Sequence, residues 1–118
     1  MSMLAGYTIL VADDEFLIAL ILKTLLSKAG AQVHIAATVE EAITVVEAGV
    51  DAALLDVSLA DGEVFPAADR LAELQLPFVF HSGHALSDEL LKRYPQAHAV
   101  TKPAPNQVLL ASLKDALS

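Results

Sequence analysis

The sequence contains no cysteine, so neither a disulfide framework nor a thiolate metal site can be built from it. Bases are scarce: 7 Lys and Arg stand against 15 Asp and Glu, for a formal charge of -8. Phosphate backbones are bound by clustered Lys and Arg, so no nucleic acid is expected as a partner. The chain also lacks an apolar run long enough to span a bilayer and a basic-then-apolar leader. The expectation is a cytoplasmic protein without membrane contact. Linkers, repeats and low-complexity stretches are missing too. What remains is 118 residues, 55% of them hydrophobic. That suffices for one domain over residues 1–118 whose core needs no staples.

The chain is organised around the stretch Asp51-Ala-Ala-Leu-Leu-Asp56, which continues through Val57-Ser-Leu-Ala to Asp61-Gly62. A short apolar run ends abruptly in a carboxylate. Leu54 and Leu55 are neighbours, so both sides of the strand are apolar, the mark of a parallel strand covered by helices on both faces. Open α/β sheets bind their ligands at the carboxyl ends of such strands. Asp56 stands at that end.

In chain order, residues 7–12 are β-branched and apolar, a first strand running straight into Asp13-Asp14-Glu15. Three adjacent acids are unfavourable unless a cation or a helix N-terminus offsets them. A helix follows, with Ile18, Ile21, Leu22 and Leu25 at helical spacing and Gly30 placed to end it. Residues 32–36 read as a second strand. Thr38-Val-Glu-Glu41 is a capping box, opening a helix that carries Ala42, Val45 and Val46 and stops at Gly49. The strand ending at Asp56 is third. Asp61-Gly62 reads as a turn, and residues 64–74 as a helix with Ala67, Ala68, Leu71 and Leu74 inward and Pro66 near its start. Residues 77–80 form a fourth strand leading into His81-Ser-Gly-His. Ser87 caps a short helix through about Arg93. Residues 97–101 form a fifth strand, and Pro105 at the first helical position opens a last helix with the stripe Leu109, Leu113, Leu117. Five strands alternating with five helices make a (βα)5 pattern with right-handed connections and helices on both faces.

Four carboxyl-end loops of this α/β pattern carry chemically distinct groups: Asp13 and Asp14, then Asp56, then Ser82, then Lys102. Converging carboxylates hold a hard divalent cation such as Mg2+, and a Lys with a hydroxyl binds an anion beside it. That set suits phosphoryl transfer, in which the protein positions groups and neutralises charge. Asp56 is then the nucleophile, forming an aspartyl phosphate. Taken singly the residues have plainer readings: an acidic pair can cap a helix, and a serine can simply occupy a loop. A calcium loop is excluded by Ala60 at a ligand position. A Ser–His hydrolase built on His81 or His84 lacks the Gly-x-Ser-x-Gly elbow. Zinc at those two histidines lacks a third ligand.

The segments Val11-Ala-Asp-Asp-Glu15, Leu54-Leu-Asp56 with Asp61-Gly62, Phe80-His-Ser-Gly83 and Thr101-Lys-Pro103 resemble the receiver domain of two-component response regulators, over essentially the whole chain. The resemblance implies a flavodoxin-like, doubly wound parallel sheet with strand order 2-1-3-4-5. It implies Asp56 as phosphoacceptor, and Asp13, Asp14 and the backbone carbonyl of Ser58 as further ligands of Mg2+. Ser82 matches the switch hydroxyl, Lys102 the phosphate-binding lysine, and Lys102–Pro103 a peptide bond usually cis. A narrower likeness runs to alphaproteobacterial receivers with Phe-Ala-Thr-Gly-x-Tyr, where this chain has Ala85 at the Tyr position.

The implied activity is that of a signalling module with self-catalysed phosphorylation and dephosphorylation, not of an enzyme. It takes a phosphoryl group from a histidine kinase or a histidine phosphotransfer protein; a homodimer is left open. With Ile18, Ile21, Leu22 and Leu25 inward, Phe16, Leu17 and Leu20 fall on the outer side of the first helix. Exposed apolar clusters mark partner surfaces, and in receivers this helix docks the histidine-bearing bundle. Two features depart from the family. Ala99 stands where an aromatic switch residue is usual, leaving His84 and His98 as substitutes. The chain also ends with its last helix, which fits both a stand-alone receiver and a piece of a longer protein. The competing readings are a degenerate receiver that binds proteins without phosphorylation, and an aspartyl-phosphate phosphatase. The phosphatase needs an acid two residues after the nucleophile, where Ser58 stands.

Overall fold

The backbone of β1 (Thr8–Ala12) is the centre from which the sheet grows, pairing in parallel with β2 (Gln32–Ala36) on one side and β3 (Ala52–Leu55) on the other. This is a computed structural model, and it describes residues 3–84 and 86–118. β3 pairs with β6 (Phe78–Ser82), and β6 with β7 (His98–Thr101), both in parallel. The order β2-β1-β3-β6-β7 is the expected 2-1-3-4-5 once a short antiparallel hairpin, β4 (Ser58–Leu59) with β5 (Gly62–Glu63), is set aside. That hairpin follows Asp56 directly and was not legible as a strand pair, because two residues per strand carry no period.

Side-chain alternation sorts the strands into two cores. Leu10, Ala12, Ala53, Leu55, Phe78 and Phe80 face one way. They pack against α2 (Val39–Ala48) and α3 (Phe65–Glu73) and against Tyr94, which follows α4 (Asp88–Arg93). Ile9, Val11, Ala52, Leu54 and Val79 face the other way, onto α1 (Phe16–Lys28) and α5 (Asn106–Leu117). All four residues of β3 are buried, as the adjacent leucines of its sequence require.

The local signals acted largely as expected. Thr38 Oγ1 accepts from the Glu41 N–H at 3.0 Å, while Glu41 reaches back to the Ala37 N–H at 3.2 Å. Ser87 Oγ accepts from Leu90 N–H at 3.2 Å. Pro105 is the residue before α5 and not its first. One helix face is rotated from expectation, that of α1, while α3 buries Ala67, Ala68 and Leu71 as expected. The inward stripe of α1 is Ala19, Leu22 and Leu26, with Ile21 exposed, and Leu74 is exposed beyond the end of α3. Residues 16–22 are apolar throughout and the polar residues Lys23, Thr24, Ser27 and Lys28 come only later in the helix, so the first turns carry no polar mark of orientation and small Ala19 takes the close approach to the sheet. Among the described residues no helix is long and apolar enough to cross a membrane.

Candidate functional site

The site lies at the carboxyl edge of the central strands. Asp13 leaves the end of β1 and Asp56 the end of β3; the Asp56 N–H donates to Ala12 O at 2.8 Å, which fixes the two ends together. Lys102 follows β7, and its N–H donates to Ser82 O at 2.6 Å. Its Nζ reaches back across the sheet to donate to Asp13 Oδ2 at 3.0 Å and to Asp56 Oδ2 at 2.8 Å. Asp13 is only 2% exposed, so its charge needs such a partner. Burial pushes the Lys102 ammonium down, but its hydrogen bonds to Asp56 and Asp13 and their charges outweigh this and hold it above the usual lysine value. It remains a cation here. The Lys102–Pro103 peptide bond is cis.

The remaining oxygens are also engaged. Asp13 Oδ1 accepts from the Glu15 N–H at 2.9 Å, and Asp56 Oδ1 from the Ser58 N–H at 3.2 Å. Carboxylate oxygens of Asp13, Glu15 and Asp56 lie within 4.8 Å of one another. Octahedral Mg2+, with oxygens at about 2.1 Å, sets its ligand atoms roughly 3–4 Å apart, so this donor set fits a hard cation after small side-chain adjustment. Asp14 is exposed and is not one of the three. Ser82 is buried and is the last residue of β6, not a loop residue. Its Oγ accepts from the His84 N–H at 3.2 Å.

The structure thus brings Lys102 into contact with both Asp13 and Asp56, with Ser82 at the end of neighbouring β6 and Ser58 at the start of the hairpin that follows Asp56. Phe16, Leu17 and Leu20 of α1 lie in the open beside the site, at 72%, 72% and 44% exposure, and Ile21 joins them at 61%. Ala99 is exposed on β7, paired with Phe80 of β6. Aromatic mass gathers one strand away, where the Phe80 ring meets Phe65, Phe78 and Tyr94 edge-on. Ala85 lies outside the described residues.

The response regulator receiver domain pattern matches residues 9–114. The chain belongs to that family. Receivers are signalling modules and not enzymes in the ordinary sense. The receiver is similar to the non-phosphorylated HemR receiver domain of Leptospira biflexa, at 27% identity over 96% of this chain and 95% of that one, with a TM-score of 0.85. A receiver domain protein of Methanospirillum hungatei is 27% identical over 94% and 93% of the two chains, with a TM-score of 0.84. The N-terminal domain of a response regulator/sensory box/GGDEF protein of Carboxydothermus hydrogenoformans is 30% identical over 93% of both chains, with a TM-score of 0.77. No curated protein matches.

Two residues beside the site carry no clear mark in the sequence. In the sequence Glu15 is simply the third of an acidic run; its place as the residue before α1 brings it to Asp13. The sequence suggests hydrolase or zinc chemistry for His81 and supports neither. Its register, one strand over from Asp56, was available from the alignment of strand ends.

Proposed function

We propose that this receiver accepts a phosphoryl group on Asp56 from a phosphohistidine of a kinase or phosphotransfer partner, and relays the signal by conformational change. The observation that carries the reading is the Lys102 ammonium held between Asp13 and Asp56 at 3.0 and 2.8 Å. A carboxylate oxygen of Asp56 attacks phosphorus. The bond from phosphorus to the partner's imidazole nitrogen breaks, and its electron pair stays on that nitrogen. Lys102 is placed to follow the added negative oxygens, as phosphoryl transfer requires of a positioned cation. Ser82, at the next strand end, offers its hydroxyl to the same group and so links phosphorylation to the β6–α4 connection. Hydrolysis returns the carboxylate when water attacks phosphorus and inorganic phosphate leaves.

Asp13 and Asp56, with Asp14 and the Ser58 carbonyl as the family resemblance has them and Glu15 as the geometry adds, would hold Mg2+, which neutralises charge on the transferring oxygens. Phe16, Leu17 and Leu20 form the face on which a histidine-bearing helical bundle docks.

Intact mass after incubation with acetyl phosphate and Mg2+ tests the reading. A phosphoryl-sized gain is expected, absent in Asp56→Asn and absent with chelator. A folded protein without any gain would instead bind partners without phosphorylation, the reading that Ala99 favours.

A further inference from the structure

β3 and β6 pair with Leu55 opposite Phe80, so the next step of the same register sets Asp56 beside His81. On the other side Ala12 pairs with Leu55, which sets Asp13 beside Asp56, and His81 itself pairs with Val100. Asp13, Asp56 and His81 therefore form a row across the carboxyl edge, neighbours about 4.8 Å apart in the backbone. Alternation puts the His81 ring on the face of Val79, in the layer of α1 and α5. Lys102, two residues beyond Val100, follows the same parity.

His81 is 5% exposed, and neither ring nitrogen has a hydrogen-bond partner among the described residues. Buried polar groups are ordinarily paired, so this ring is built for a partner that arrives. Burial first, and then the Lys102 charge, push the imidazole below its usual value, against a smaller pull from Asp13 and Asp56. A neutral ring keeps one N–H to donate.

Resting on Asp56 as the phosphoacceptor, we propose that His81 is a positioning residue for the phosphoryl group. Its ring N–H donates to a terminal oxygen of phosphorylated Asp56, sharing with Lys102 the task of orienting that group. A phosphoryl group on Asp56 is the anion that enters this row, and no covalent change at His81 is involved.

The probe is beryllofluoride with Mg2+, which mimics the phosphoryl group, added to 15N-histidine-labelled protein. The four histidines give a spectrum simple enough to follow. The expected result is one ring N–H becoming protected from exchange and shifting downfield on addition, and absent from His81→Phe. Beryllofluoride affinity should fall roughly tenfold in His81→Phe, the worth of one hydrogen bond to an anion. It should recover in His81→Asn or His81→Gln, which keep an amide N–H. Wild type that binds beryllofluoride and gains mass with acetyl phosphate, but shows no change in the His81 ring, overturns the proposal and leaves the phosphoacceptor reading standing. Wild type that neither binds nor gains mass overturns both. If His81→Phe fails to fold, the wild-type ring signal decides.

Discussion

Lys102 and Asp56 stand on strand ends separated by β6, yet Nζ and Oδ2 meet at 2.8 Å and both side chains are mostly buried. The same ammonium is the described partner of buried Asp13. Removing it leaves two carboxylates side by side without a cation. Lys102→Ala should therefore lose about 3 kcal/mol of unfolding free energy in the presence of chelator, the usual cost of stripping one partner from a buried pair. Mg2+ should restore part of that loss, and should stabilise the variant more than it stabilises wild type. Urea unfolding with and without Mg2+ checks both. A variant as stable as wild type in chelator would mean that the bridge contributes nothing to the resting state.

The hairpin after Asp56 is tied to α2. Asp61 Oδ1 accepts from the Val39 N–H at 2.7 Å, and Oδ2 from the Glu40 N–H at 3.4 Å. The Val39 bond, reinforced by Glu40 and opposed by slight burial, holds the Asp61 carboxyl below its usual 3.8. A depressed carboxylate contributes stability that is complete above the ordinary value and disappears as pH falls through the folded one. Asp61→Ala should lower the urea midpoint at neutral pH, and the gap to wild type should close as pH drops well below 3.8. A gap that persists in acid would assign the loss to hairpin geometry and not to the cap.

The sheet and the central site were legible because two signals coincided. Strand identity came from runs such as residues 52–55, buried on both faces, and the ends of those runs carried Asp13, Asp56 and Lys102, which the structure brings together. Illegible were features set by tertiary placement. The orientation of α1 is one: its first seven residues are all apolar, so Ile21 was as good a candidate for the core as Ala19. The second function of Asp61 is another, because a turn residue carries no mark of the helix it will cap 22 residues away. His81 is a third, since a lone histidine acquires meaning only from the strand beside it.

On the opposite face, Tyr94 closes α4 and its hydroxyl donates to Asp69 Oδ1 at 2.5 Å, while Arg93 holds Asp69 Oδ2 at 2.6 Å. Burial, then the Asp69 hydrogen bond and charge, push the phenol well above its usual 10.0. A raised acid contributes stability that is complete below the unfolded value and is lost as pH rises through the folded one. Tyr94→Phe keeps the ring contacts and should cost about 1 kcal/mol at neutral pH. The difference from wild type should shrink once pH rises past 10.0. Thermal unfolding midpoints against pH read this directly, and a constant difference across the alkaline range would remove the hydroxyl from the account.

Phe16, Leu17 and Ile21 leave most of their surface open beside the acidic row, and Leu20 nearly half, a pattern that costs solubility and is kept where a partner covers it. Because none of the four supports the core, Phe16→Ser with Leu20→Ser should change stability by less than about 0.5 kcal/mol per site. Interface anchors of this kind are worth about 2 kcal/mol when truncated, so phosphoryl transfer from the partner histidine should slow about thirtyfold. Acetyl phosphate, which needs no docking face, should label Asp56 at the wild-type rate. Ile21→Ser extends the test to the residue that the rotated helix exposes and should add to the loss. Transfer at the wild-type rate in both the double and the triple variant would place the docking face elsewhere, whereas a parallel loss with acetyl phosphate would show that the substitutions disturb Asp13 and Glu15 through the first turn of α1.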